Sequence, residues 1–182
     1  MKKLLLTFVI LATLQTSLEA QKFITREGYA RFFSTTPVED IEAVNVQMSS
    51  IFDASTGKIV FQVPIKGFKF EKALMQEHFN ENYMESDKIP NASFKGEVVS
   101  FPGISEVTES GIQVEVKGDL TIHGVTQAVT EQFTLSMKGG KLVLEGTFKV
   151  SPEDYKINIP SAVSDKIAES LDVTLKVEYS EK

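Results

Sequence analysis

Cysteine is absent from all 182 residues. That single absence removes disulfides, thiolate metal sites, cysteine nucleophiles and a lipid anchor on a post-cleavage cysteine. The fold must therefore hold itself together by burial. Tryptophan is absent as well, and tyrosine occurs only four times, too few to furnish the two aromatic girdles of a barrel that faces lipid. Basic residues are in the minority, 19 against 25 acidic, for a formal net charge of −6. Nucleic acid and anionic membrane surfaces both demand clustered Lys and Arg, so neither is an expected partner. Solubility is a sufficient reason for the acidity. No Gly-rich phosphate loop opens a helix, and no G-x-S-x-G turn presents a serine.

Long hydrophobic runs are missing too. The apolar run "LLLTFVILATL" (Leu4 to Leu14) has eleven residues, well short of a bilayer span. It follows Lys2 and Lys3 and precedes "QTSLEA", which ends on the small Ala20. That is the layout of a secretory signal peptide. Residues 1–20 are expected to be cleaved, leaving 21–182 as one domain, periplasmic or secreted.

What is present is alternation with period two, the mark of strands with one buried face. In "GIQVEVKGDLTIH" the apolar residues Ile112, Val114, Val116, Leu120 and Ile122 are all even, and Gln113, Glu115, Lys117, Asp119 and Thr121 are odd. Val129, Phe133, Leu135 and Met137 continue in phase along the next strand, with Glu131 as the one misfit. Gly139-Gly140 supplies the positive φ angles of a two-residue hairpin turn. The return strand carries Leu142, Leu144, Phe148 and Val150, and the last strand Leu171, Val173, Leu175, Val177 and Tyr179. Earlier, Ile59, Phe61, Val63 and Ile65 follow the turn "DASTGK", and the phase then flips to Phe68 and Phe70. A bulge at Gly67 would explain the flip. Val44, Val46, Met48 and Phe52 supply the preceding strand, Phe94 and Val98 a later one, and "GYARFFSTT" the first.

One stretch breaks the pattern. "FEKALMQEHFNENYM" places Leu74, Met75, His78, Phe79 and Tyr83 at helical spacing. An amphipathic helix over about 71–83, packed on one end of the sheet, is expected, with a second short helical piece around Ser164 to Glu169. About eight antiparallel strands with single-faced patterning imply an all-β closed barrel or sandwich.

Catalysis has no support at the level of residues. Neither histidine has the partner pattern of a triad or the spacing of a metal site. His78 shares a helical face with Leu74, Met75 and Phe79, which suits a hydrogen-bonded packing histidine. His123 falls with Asp119 and Thr121 on the outward face beside Gly124, which suits a hydrogen bond at a strand end. Glu85 and Asp87 read as solvated loop charges. The apolar face remains. In an eight-stranded barrel the interior is just wide enough for packed side chains or one slim ligand. The lining expected from the alternation is Phe61, Val63, Ile112, Val114, Val116, Leu120, Ile122, Phe133, Leu135, Leu144, Phe148, Val173, Leu175 and Val177. Such a surface suits an acyl or prenyl chain, and a filled core accounts for the same pattern.

The stretch "GDLTIHGVTQAV" resembles the G-x-L-T-x-x-G-V-T-x-x-V hairpin of the YceI-like family, the polyisoprenoid-binding proteins with a lipocalin-like barrel. "LMQEHFNENYMESDKIPNASFKG" is similar to that family's helix and following strand, and "FKVSPEDYKINIP" to its late strand and acidic-aromatic turn. The likeness runs from about Phe61 to Tyr179. It implies an extended antiparallel eight-stranded barrel with one inserted helix, export to the periplasm, and a non-enzymatic role. The ligand it implies is a long-chain amphiphile of polyisoprenoid, isoprenoid quinone or fatty-acyl type, held in the lumen for carriage or storage. No other cofactor, no metal and no stable membrane insertion are expected, and a homodimer stays open. Two alternatives stand beside this reading: a structural or stress-related barrel with a filled core, and a small outer-membrane β-barrel.

Overall fold

The computed structural model describes residues 21–181; the expected signal peptide lies outside the described residues. The alternation becomes nine strands among the described residues: β1 (Lys22–Thr35), β2 (Asp40–Asp53), β3 (Lys58–Pro64), the two-residue β4 (Lys69–Phe70), β5 (Asn91–Val98), β6 (Ile112–Ile122), β7 (Val125–Lys138), β8 (Lys141–Val150) and β9 (Leu171–Glu181). All pairings are antiparallel. The order β1-β2-β3-β5-β6-β7-β8-β9 returns from β9 to β1, closing an eight-stranded barrel, while β4 adds to β2. Closure removes the exposed strand edges that a sheet of this length would otherwise carry.

The apolar phase points inward. Val114 and Val116 of β6, Phe133 and Leu135 of β7, Leu142 and Leu144 of β8, and Val177 and Tyr179 of β9 are all buried. Gln113, Lys117, Thr130, Gln132 and Lys149 stand on the outer face and are exposed. That is the reverse of a membrane barrel, whose apolar band faces out. Two hairpins turn on two residues with positive φ each: His123 and Gly124 (+49° and +74°), and Gly139 and Gly140 (+57° and +78°). This is the turn whose twist matches that of the flanking strands. Between the first pair of strands the register is unbroken from Ile112↔Leu135 to Ile122↔Val125, so no bulge at Gly118 resets the phase.

The structure corrects three local expectations. The phase flip near Gly67 is not a bulge: β3 ends at Pro64 and a 3₁₀ turn, Ile65–Gly67, carries the chain to β4. Asn45, fully buried, donates from Nδ2 to the Pro64 carbonyl at 2.8 Å, and its Oδ1 accepts from the Gln47 N–H at 2.7 Å. A Cβ on Gly67 would sit 2.6 Å from that Asn45 nitrogen, so glycine is what lets the turn lie against β2. Second, a register shift across β1 and β2 between Gly28↔Met48 and Ala30↔Asn45 puts Ala43, Asn45, Met48, Ser50 and Phe52 inside. Val44 and Val46 consequently face out, Val46 being 59% exposed. Third, the helical piece near Ser164 to Glu169 is a 3₁₀ stretch, Ser161–Lys166.

The inserted helix is α1 (Ala73–His78), prolonged by a wide π-type turn, Phe79–Tyr83. None of its residues is fully buried, whereas the apolar spacing predicts a packed face. It is tied down by Phe79, whose ring lies 5.4, 5.6 and 5.0 Å from those of Phe32, Phe68 and Phe70.

The two ends of the barrel differ. At one end the interior is packed solid: Phe52 stacks against Phe23, Phe101 and Tyr179 at 6.3, 5.2 and 6.3 Å. Ile104 and Val107, from the loop between β5 and β6, add to that cluster. Ser50 and Tyr179 share a buried hydrogen bond of 2.7 Å between their hydroxyls. The other end is hollow.

Candidate functional site

At the hollow end the strands enclose a cavity of about 500 Å³. Along β6 its wall runs from Ile122 to Val116, seven residues whose six steps span roughly 20 Å of extended chain before strand tilt is allowed for. The floor is formed where Phe61, Phe94, Val116 and Phe133 close over the packed half. Beyond the strands, two segments arch over the mouth: the helical segment, through Leu74, Met75, Phe79 and Tyr83, and the connection of residues 151–170, through Ile157, Ile159, Val163 and Ile167. The face that the helical spacing marks as apolar thus turns toward an open space. Leu74 remains 61% exposed there.

Of the fourteen residues that the alternation marks for the lumen, nine line the cavity: Phe61, Val63, Val116, Leu120, Ile122, Phe133, Phe148, Val173 and Leu175. Ile112, Val114, Leu135, Leu144 and Val177 do not border it; they pack in the core cluster of the filled half. All fourteen point inward. Which half a residue joins depends on its height along the strand, and period two carries no such information.

Ionisable groups are few in the lining. Glu39, Lys72 and Lys166 stand at the mouth, and Glu39 and Lys72 form an ion pair of 2.6 Å that ties the β1–β2 loop to the start of α1. The Lys72 bond, helped by the nearby Lys166 charge, holds the Glu39 carboxyl below its ordinary range. Glu131 lies inside. It shares the inward phase of β7 with Val129 and Phe133 and stands opposite Val116 in the ladder. Its carboxyl is pushed above the ordinary range by desolvation. The odd charge in an otherwise apolar phase was the signal for it in the sequence. The arch of residues 157–167 had no comparable signal, because its isoleucines and valine follow neither period.

The histidines stand apart from any reacting constellation. His78 is exposed at the rim of the cavity and its side chain makes no hydrogen bond to another described residue, so the packing role expected for it is replaced by a place at the mouth. His123 occupies the turn after β6, outside the cavity. Its Nε2 lies 3.2 Å from Glu85 Oε2, while Nδ1 is buried without a partner. That contact joins the β6–β7 hairpin to the loop following the helix, the strand-end role its position suggests. Glu85 is held below the ordinary carboxylate range by Lys88 first and by His123 second. Among the described residues no group of three His, Asp or Glu could hold a metal ion.

A family model described as the YceI-like domain matches residues 20–179. Three solved structures share the fold. A polyisoprenoid binding domain from Saccharophagus degradans, implicated in plant cell wall breakdown, has a TM-score of 0.72 at 12% identity, covering 90% of this chain and 99% of its own. Burkholderia cenocepacia BcnA has a TM-score of 0.69 at 14% identity, covering 84% and 96%. The YCEI protein of Campylobacter jejuni has a TM-score of 0.51 at 17% identity, covering 87% and 85%. Among curated protein sequences, none matches the chain.

Proposed function

We propose that this chain, which belongs to the YceI-like domain family, binds a long-chain amphiphile in the hollow half of its barrel. The observation that carries the reading is the apolar face of the helical segment. Phe79 anchors the segment on the Phe32, Phe68 and Phe70 rings, while Leu74, Met75 and Tyr83 border a 500 Å³ apolar lumen, none of them fully buried. Exposed apolar surface of this kind is retained where something covers it, and a cavity of this size suits one ligand. A similar fold in a polyisoprenoid binding domain makes an isoprenoid the first class to test, with isoprenoid quinones and fatty-acyl lipids next.

The chemistry is sequestration, with no bond made or broken. Each methylene moved from water into the lumen is worth roughly 0.8 kcal/mol, so about twenty carbons gain on the order of 16 kcal/mol against water. A chain drawn from a membrane is already dry, so transfer from bilayer to protein is near balance. Near balance is what a carrier or store needs, because the ligand can leave. The carriage is assigned to the periplasm, with residues 1–20 acting as the export signal.

Native mass spectrometry of protein purified from the periplasm tests the reading. A stoichiometric long-chain species is expected on the wild type, and none on Val129→Trp, whose ring would occupy the lumen. N-terminal sequencing should begin near Gln21. A wild-type protein that carries no such species, and takes none up from added isoprenoid or fatty-acyl lipid, refutes the assignment.

A further inference from the structure

Among the described residues Glu131 is the one carboxylate set within the lumen away from the mouth, and its placement bears on what the lumen accepts. The residue stands on the inner face of β7, opposite Val116, which is 2% exposed, and one inward position from Phe133 on the floor. Nearby, the ladder between β7 and β8 ends at Thr134↔Glu145, so β8 offers no paired strand beside it. Among the described residues Glu131 has no side-chain hydrogen bond and no ion pair. The neighbouring ionisable group is Tyr155, 3% exposed, in the turn after β8. A wholly hydrocarbon ligand filling the lumen would strip water from this carboxylate and give it nothing in return, which is unfavourable for an unpaired charge. A ligand group that donates a hydrogen bond at that depth would satisfy it.

Resting on the lumen reading above, we infer that the barrel selects amphiphiles whose inserted end carries a hydrogen-bond donor, a hydroxyl or an amine, which bonds to the Glu131 carboxylate near the floor. The ligand then enters polar end first, and its chain lies against the apolar face of the helical segment at the mouth. Desolvation already holds the Glu131 carboxyl above the ordinary range in the unliganded barrel, which accords with a site short of one donor. Chains that end in a carboxylate meet repulsion at the same position, and chains that end in an ester have no donor to offer the carboxylate.

The test uses delipidated protein and displacement of the fluorescent probe N-phenyl-1-naphthylamine by four ligands of one chain length: 1-hexadecanol, hexadecylamine, methyl hexadecanoate and hexadecanoic acid. A hydrogen bond to a charged group corresponds to roughly tenfold or more in affinity. The wild type should therefore prefer the alcohol and the amine to the ester by about that factor, with the acid weakest above neutral pH. Glu131→Leu should abolish the preference while keeping or improving ester binding. Glu131→Gln, close in shape, should keep the alcohol and lose the advantage of the amine, and it decides the matter if the leucine variant does not fold. The same ligand ranking in wild type and variants overturns the role of Glu131 and leaves the lumen reading standing. Displacement from the wild type by none of the four, and none by an isoprenoid alcohol, overturns both.

Discussion

Truncating one leucine in each half of the barrel separates a hollow lumen from a uniformly filled core. Leu144 is 1% exposed and lies between Leu135 on β7 and Val177 on β9, both as deeply buried. Leu144→Ala deletes three carbons, at roughly 0.8 kcal/mol each about 2.4 kcal/mol of transfer free energy. The void left behind adds about 24 cal/mol for every Å³ that the neighbours do not refill, for a loss of about 3–5 kcal/mol. Leu120, on β6, is half-buried and borders a space of about 500 Å³ that already exists. Leu120→Ala enlarges that space without opening a new one, and only part of its transfer term applies, so the loss is about 1 kcal/mol. Urea unfolding of delipidated protein, with equal slopes for the variants, gives the two numbers. Hexadecanol or an isoprenoid alcohol should raise the melting temperature of the wild type and less so that of Leu120→Ala. Equal losses at the two positions, with no ligand effect, would mean that the interior is packed along its whole length in solution.

Two further changes probe the wall and the filled end. Gly118 faces Gly96 across β5 and β6, and a Cβ on Gly118 would fall 2.3 Å from the Lys95 carbonyl oxygen and 2.8 Å from the Phe94 ring. Gly118→Ala should therefore destabilise by more than about 2 kcal/mol, measured by thermal unfolding; a neutral result would mean that the β5–β6 contact is looser than the structure has it. Tyr179→Phe deletes the hydroxyl bonded to Ser50 and should lower stability by about 1–3 kcal/mol, because the Ser50 hydroxyl is left buried and unpaired. Burial also drives the Tyr179 phenol well above the ordinary tyrosine range. The unfolded chain then loses its proton first as pH rises, so stability falls above about pH 10, at up to about 1.4 kcal/mol per pH unit. Alkaline unfolding curves should show that slope in the wild type and a shallower one in Tyr179→Phe.

Period-two alternation from Ile112 to Tyr179, together with turns that tolerate positive φ, is enough to specify the four long antiparallel strands β6 to β9 and which way their side chains face. The physical reason is local: successive Cβ atoms point to opposite faces, so an apolar phase can only be an inner wall. The match in "GDLTIHGVTQAV" to a type of hairpin is local for the same reason, and His123 sits in that hairpin's turn as its sequence neighbours suggest. The bend at Gly67 was legible only as a change of phase, because a bulge and a 3₁₀ turn leave the same trace in sequence. Asn45 and the Pro64 carbonyl decide between them across nineteen residues.

The division of the interior belongs to tertiary structure alone. Leu144 and Leu120 occupy equivalent places in their alternations, yet one is sealed by the Phe52 cluster's end of the barrel and the other opens on a void. Their fate depends on which rings reach across from distant strands. The helix shows the same limit. Its apolar spacing is real, but whether that face meets a core or a lumen depends on how much space the strands beneath it leave unfilled, and only the closed barrel sets that volume.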